Sequence, residues 1–122
     1  MKKKKKVLFV DDEKEWRSVV ASALSGIGHE VLTAADASEA MRVTDGVSLG
    51  LIILDLNLAG ESGLALMEYL HHNQPGVPII LYTGLEHDEA TVVTMRQAGA
   101  NQYLRKGPME ELVGAVRRSF QY

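Results

Sequence analysis

Leu49-Gly50-Leu51-Ile52-Ile53-Leu54-Asp55 is an almost continuous apolar run that stops abruptly at a carboxylate. A strand with one wet face alternates apolar and polar residues, whereas a strand covered by helices on both faces is apolar throughout. Leu49 to Leu54 is therefore predicted to be an inner strand of a parallel sheet, with Asp55 just beyond its carboxyl end. Upstream, Lys6 to Val10 reads as a first strand leading into Asp11-Asp12-Glu13. The stripe Trp16, Val19, Val20, Ala23, Leu24, Ile27 then follows helical spacing until Gly26 and Gly28 stop it. Glu30 to Ala34 is a second strand. Asp36 with Glu39 three residues later makes a capping-box start for a short helix that ends near Gly46.

Downstream the alternation continues. A third helix is expected from near Ser62 to about His72, then a turn at Gln74-Pro75-Gly76 and a fourth strand over Val77 to Tyr82. Asp88 caps a fourth helix that ends at Gly99, and Gln102 to Arg105 is the fifth strand. Pro108 suits the first turn of a last helix whose buried face is Met109, Leu112, Val113, Val116 and Phe120. Five strands alternating with five helices predict an α/β fold: a flavodoxin-like, doubly wound (βα)5 three-layer sandwich, with parallel strand order 2-1-3-4-5.

The chain has 122 residues and a net charge of −3, enough for one core that buries roughly two-thirds of the unfolded surface. With no cysteine, thiolate metal or redox chemistry and disulfide scaffolds are excluded. Lys2 to Lys6 resemble the start of a secretory signal, but the apolar stretch after them is too short for one. The expectation is a cytoplasmic protein, with residues 1–5 a basic leader and 6–122 one domain. Without those five lysines, 8 basic face 16 acidic residues, a net of −8 that repels nucleic acid. No apolar run approaches the roughly 18 residues of a membrane span, so neither nucleic acid nor membrane is an expected partner.

In doubly wound sheets ligands bind beyond the carboxyl ends of the strands. Those ends carry Asp11 and Asp12 after the first strand, Asp55 after the third, Thr83 after the fourth and Lys106 after the fifth. Singly, each reads as an ordinary turn residue or cap. Jointly, three carboxylates in one place require cations, and Mg²⁺ suits a few carboxylate or carbonyl oxygens completed by water and phosphate. A metal, a hydroxyl, a lysine and a central acceptor carboxylate are the parts that move a phosphoryl group onto an aspartate. The four histidines, His29, His71, His72 and His87, lack ligand spacing, and Trp16 reads as part of the apolar stripe.

Val7-Leu8-Phe9-Val10-Asp11-Asp12-Glu13, Leu54-Asp55-Leu56-Asn57-Leu58-Ala59-Gly60-Glu61-Ser62-Gly63-Leu64, Leu81-Tyr82-Thr83-Gly84 and Ala98-Gly99-Ala100-Asn101-Gln102-Tyr103-Leu104-Arg105-Lys106 together resemble the receiver domain of bacterial two-component response regulators. The resemblance spans essentially the whole chain. It implies that Asp55 accepts a phosphoryl group from a sensor histidine kinase or phosphotransfer protein. Mg²⁺, with Mn²⁺ as a substitute, would be held by Asp12, Asp55, the main-chain carbonyl of Asn57 and, through water, Asp11. Thr83 and Lys106 would bind phosphoryl oxygens. Thr83 and Tyr103 would form a switch that remodels the face of the fourth helix, fifth strand and fifth helix toward an unidentified output protein or domain, with phosphorylation-dependent homodimerisation as one consequence. Asn57 and Leu85 would tune hydrolysis. Such a protein transfers and loses its own phosphoryl group and is not a conventional enzyme.

Three positions depart from the family pattern. Gly107 follows Lys106 where proline is usual, Ala59 stands where proline is common, and Ser62 where aspartate often caps. A cis bond to a non-proline residue costs about 2.5–4 kcal/mol, so Lys106-Gly107 is expected to be trans. Competing readings are a flavin-binding flavodoxin-like protein, a haloacid-dehalogenase-like phosphatase and a pseudo-receiver without phosphorylation. Asp11-Asp12-Glu13 opposes a flavin phosphate, and Asn57 stands where the phosphatase needs a general acid.

Overall fold

A computed structural model describes residues 6–58, 60–84 and 87–120; the leader 1–5, Ala59 and Leu85 lie outside them. In chain order the elements are β1 (Lys6–Val10), α1 (Lys14–Gly26), β2 (Glu30–Ala34), α2 (Ala37–Thr44), β3 (Leu51–Leu54), β4 (Asn57–Leu58), β5 (Glu61–Ser62), α3 (Gly63–Asn73), β6 (Ile79–Thr83), α4 (Glu89–Gln97), β7 (Gln102–Arg105) and α5 (Met109–Ser119). Five strands form one parallel sheet in the order β2-β1-β3-β6-β7. Leaving out the two-residue strands β4 and β5, this is the expected order 2-1-3-4-5.

The apolar run of β3 is divided between two cores. Ile52 and Leu54 join Leu8, Val10, Leu66, Met67, Leu70, Leu81 and Met95 on the side covered by α2, α3 and α4. Leu51 and Ile53 join Val7, Phe9, Val20, Leu24, Ile80, Leu112 and Val116 under α1 and α5. The two-residue period of a strand makes this division, and the two cores make the flavodoxin-like three-layer fold. All four β3 side chains are fully buried, each worth about 1.5–3 kcal/mol of transfer free energy. Met109, Val113 and Phe120 of α5 are only partly buried against that core.

Boundaries differ where side chains compete for the backbone. β3 starts at Leu51, not Leu49. The Leu49 N–H donates instead to Gln74 Oε1 at 3.3 Å, while Gln74 Nε2 donates to the Val47 carbonyl at 2.8 Å. β6 starts at Ile79 and runs on to Thr83, because Pro78 has no N–H for the ladder and the Val77 N–H closes a turn on the Gln74 carbonyl. Helices α2 and α4 end at Thr44 and Gln97, two residues before Gly46 and Gly99. The expected caps form at Asp36, Ser62 and Asp88, which accept from Glu39, Ala65 and Thr91 N–H respectively. The returning arm of the Glu39 cap reaches Ala35 N–H at 2.8 Å. Lys106-Gly107 is trans, as is every described peptide bond.

The antiparallel pair β4–β5 was not expected. It buries Leu58 and turns through Gly60 at φ +82, a conformation that favours glycine. It delivers the chain to Gly63, where an added Cβ would lie 2.5 Å from Leu56 Cα and 2.6 Å from its carbonyl oxygen. Backbone meets backbone there, one residue after Asp55. Gly63→Ala is expected to lower stability by ~3 kcal/mol, the upper end for overpacking, against ~1 kcal/mol for Ser62→Ala, which removes only the cap. Urea midpoints at unchanged m-value measure both; equal losses would mean that the Leu56–Gly63 contact is not tight.

Candidate functional site

Adjacent parallel strands end side by side, so the residues after β1 and β3 are neighbours. Asp11 N–H donates to the Ala34 carbonyl and Asp55 N–H to the Val10 carbonyl, both at 3.0 Å, which extends the sheet by one residue at each acid. The carboxylates are then fixed locally. Asp11 Oδ1 accepts from Glu13 N–H at 2.9 Å, organising the start of α1, whose N-cap residue Glu13 makes no side-chain cap of its own. Arg17 Nη1 donates to the Asp11 carbonyl at 2.8 Å. Asp55 Oδ1 accepts from Asn57 N–H at 3.0 Å, a turn that an aspartate side chain forms with the backbone two residues on.

Asp11, Asp12 and Asp55 bring one carboxylate oxygen each within 4.8 Å of one another. Asp11 is fully buried and Asp55 is 3% exposed. Lys106, on the residue after β7, projects its ammonium between them, 2.6 Å from Asp11 Oδ2 and 2.8 Å from Asp55 Oδ2. Lys106 donates a hydrogen bond to Asp55 Oδ2 and forms a close ion pair with Asp11 Oδ2. Burial drives the Asp11 carboxyl above its usual range, only partly offset by Lys106 and the Glu13 N–H. For Lys106 burial opposes the charge, but hydrogen bonds to Asp11 and Asp55 and their charges outweigh it and hold the amine above its ordinary value. Three carboxylates gathered this closely are a hard-cation donor set.

The other expected residues are distributed around this centre. Thr83 is fully buried at the end of β6, and its carbonyl accepts the Lys106 N–H at 2.8 Å, which ties the hydroxyl residue and the lysine to one level of the sheet. Asn57 presents its N–H to Asp55 and exposes its side chain. Tyr103 is half-buried on β7, opposite Leu81, with the His87 ring edge-on at 5.8 Å and 82°. Leu85 falls outside the described residues.

Two aromatic residues at the site were missed. Trp16 is more than part of a core stripe: its ring lies 5.1 Å from Lys106 Nζ and meets Tyr82 edge-on at 5.6 Å. The Tyr82 hydroxyl both donates to the Gly107 carbonyl and accepts the Gly107 N–H, each at 3.4 Å, and burial raises the phenol above its ordinary pKa. A signal was available for Tyr82, because a phenol within an otherwise aliphatic strand needs a polar partner.

Comparison with known proteins agrees with this geometry. The family model of the response regulator receiver domain matches residues 7–117. The chain is 37% identical over 103 residues to the probable transcriptional regulator ycf27 of Cyanophora paradoxa, covering 84% of this chain and 42% of that one. It spans less than half the length of the curated relatives it matches. A solved response regulator of Burkholderia pseudomallei with a phosphorylated aspartic acid, calcium ion and citrate superposes with TM-score 0.83 at 31% identity, over 91% of this chain and 65% of that one. The response regulator TrrA of Thermotoga maritima, in complex with Mg(2+)-BeF, gives TM-score 0.83 at 29% identity over 95% and 99%. With five acidic, hydroxyl and basic positions at the strand ends and a family match over nearly its whole length, this chain belongs to the response regulator receiver domain family.

Proposed function

We propose that residues 6–122 act as one phosphorylation-operated switch in which Asp55 is the phosphoryl acceptor. The observation that carries the reading is the setting of Asp55: nearly buried, its two oxygens separately fixed by Asn57 N–H and Lys106, beside two further carboxylates. The donor would be a phosphohistidine of a sensor kinase or phosphotransfer protein. A bond forms from an Asp55 carboxylate oxygen to phosphorus as the phosphorus–nitrogen bond breaks; its electron pair leaves on the imidazole, which takes up a proton. Mg²⁺ bound by Asp11, Asp12, Asp55 and the Asn57 carbonyl would neutralise the charge that otherwise keeps the anionic donor from three acids.

Lys106 holds the Asp55 carboxylate in place before transfer, and its ammonium then serves a phosphoryl oxygen once Asp55 has become part of the acyl phosphate. Thr83 supplies a hydroxyl donor at the same level of the sheet. Turning of Thr83 toward the new group and of Tyr103 inward would remodel the face of α4, β7 and α5 for the output, a two-state equilibrium biased by a local charge. Hydrolysis of the acyl phosphate, tuned at Asn57 and Leu85, resets the switch. The side chain of Asn57 is an amide, which opposes a phosphatase that needs an acid there. No helix among the described residues is long and apolar enough to cross a membrane, which fits the cytoplasmic setting of such a relay.

Incubation with acetyl phosphate and Mg²⁺ is expected to give one phosphoryl adduct by intact mass, absent with a chelator and absent in Asp55→Asn; a folded protein with no adduct would favour the pseudo-receiver. Mg²⁺ at a hundred times its dissociation constant should raise stability by about 2.7 kcal/mol, an effect lost in Asp12→Ala; an unchanged urea midpoint in the wild type argues against the metal site. On phosphorylation the largest amide chemical-shift changes outside the acidic cluster should fall in α4, β7 and α5, and a maximum on α2 would contradict the switch.

A further inference from the structure

Lys106 is a flexible four-carbon lever whose tip must stay charged in a site that leaves its side chain 7% exposed. The residue after it, Gly107, has no side chain to anchor the loop. On one side of the lever is the main chain of Gly84, where an added Cβ would sit 3.8 Å from Lys106 Cδ. The Trp16 ring lies 5.1 Å from the ammonium, and the indole also lines an open groove with Glu15, Val19, Gly107 and Met109. Tyr82 connects the two ends of this arrangement. Its ring braces the indole edge-on, and its hydroxyl grips the backbone of Gly107 through both N–H and carbonyl.

We propose that Trp16 and Tyr82 are positioning residues for Lys106, Tyr82 fixing the main chain beyond the lysine and Trp16 offering a ring face to its ammonium. A cation over an indole is attracted by the ring quadrupole, most strongly where water is excluded. The attraction is independent of the carboxylates. It therefore persists when the ammonium turns from Asp55 toward a phosphoryl oxygen, and keeps the lysine from swinging into the groove toward Glu15. Neither aromatic touches a reacting atom; both act through the lysine. The proposal rests on the phosphoacceptor reading of Asp55 for its consequence, and on the contact itself for its existence.

The full chain tests both. With acetyl phosphate and Mg²⁺, Trp16→Ala is expected to lower the maximal phosphorylation rate roughly three- to tenfold, and Trp16→Phe to recover at least half of the loss because a ring face remains. Tyr82→Phe, which removes only the hydroxyl, is expected to cost roughly two- to fivefold. Mg²⁺ affinity by calorimetry should stay within about twofold in all three, since the carboxylates are untouched; a general packing defect would weaken both. Trp16 is the single tryptophan of the chain, so its emission should shift in Lys106→Met and not in Lys14→Met, an exposed lysine on the same helix. Identical emission in the two lysine variants, or a wild-type rate in Trp16→Ala, overturns the proposal. Should the wild type itself take no phosphoryl group, the Asp55 reading fails while the fluorescence comparison still decides the contact.

Discussion

Electrostatic repulsion among Asp11, Asp12 and Asp55 is the constraint around which the rest of this molecule is arranged. Three carboxylate oxygens lie within 4.8 Å of one another, two of the acids essentially without solvent, and such an arrangement persists only with compensating charge or proton uptake. The fold answers with one ammonium, two backbone N–H donors and an arginine on an adjoining carbonyl. That single ammonium is shared by Asp11 Oδ2 and Asp55 Oδ2. One ammonium among three carboxylates leaves the cluster short of full neutralisation. Acids with too little compensating charge attract a further cation, and a switch needs a ground state that a modest input can displace.

The supporting architecture follows from that demand. The acids follow β1 and β3, two interior strands of the sheet with neighbours on both sides. Leu56 is pressed against Gly63 with no room for a methyl group, so the stretch just beyond Asp55 is clamped by helix α3. Asp11 serves as part of the acidic cluster and also organises the first turn of α1, so its geometry is tied to the helix that carries Trp16. Rigidity on the acid side contrasts with the lysine side, where a long side chain, a glycine and an edge strand leave adjustment to aromatic contacts.

Much of this was legible in the sequence, because the two strongest signals concern burial. An apolar run closed by an acid, as at Leu51 to Asp55, specifies both a doubly covered strand and the location of its polar end. β1, β2 and β7 were read with their observed boundaries, the end of β1 being marked by the change from Val10 to Asp11. The β4–β5 pair was not legible, because two-residue strands have no period to detect. The start of β3 was misread because Leu49 is apolar yet its N–H is taken by Gln74, a partner 25 residues away. Trp16 shows the same limit at the site. Its spacing assigns it to the inner face of α1, but that the tip of Lys106 lies beside its ring is set by the lysine reaching from the end of β7 to the acids after β1 and β3, which no local pattern encodes.

Strand β7 has a neighbour on one side only, β6, and none of its residues is fully buried. Edge elements of this kind open at lower free energy than central strands. Lys106 follows directly from it, and its own N–H is secured to Thr83 across the β6–β7 seam. Transient detachment of this one edge would withdraw the ammonium, unbalance the acids and free Tyr103 together, without disturbing β1 or β3. This edge seam is therefore in series with the chemistry: a molecule in which it has opened lacks the ammonium at the acids.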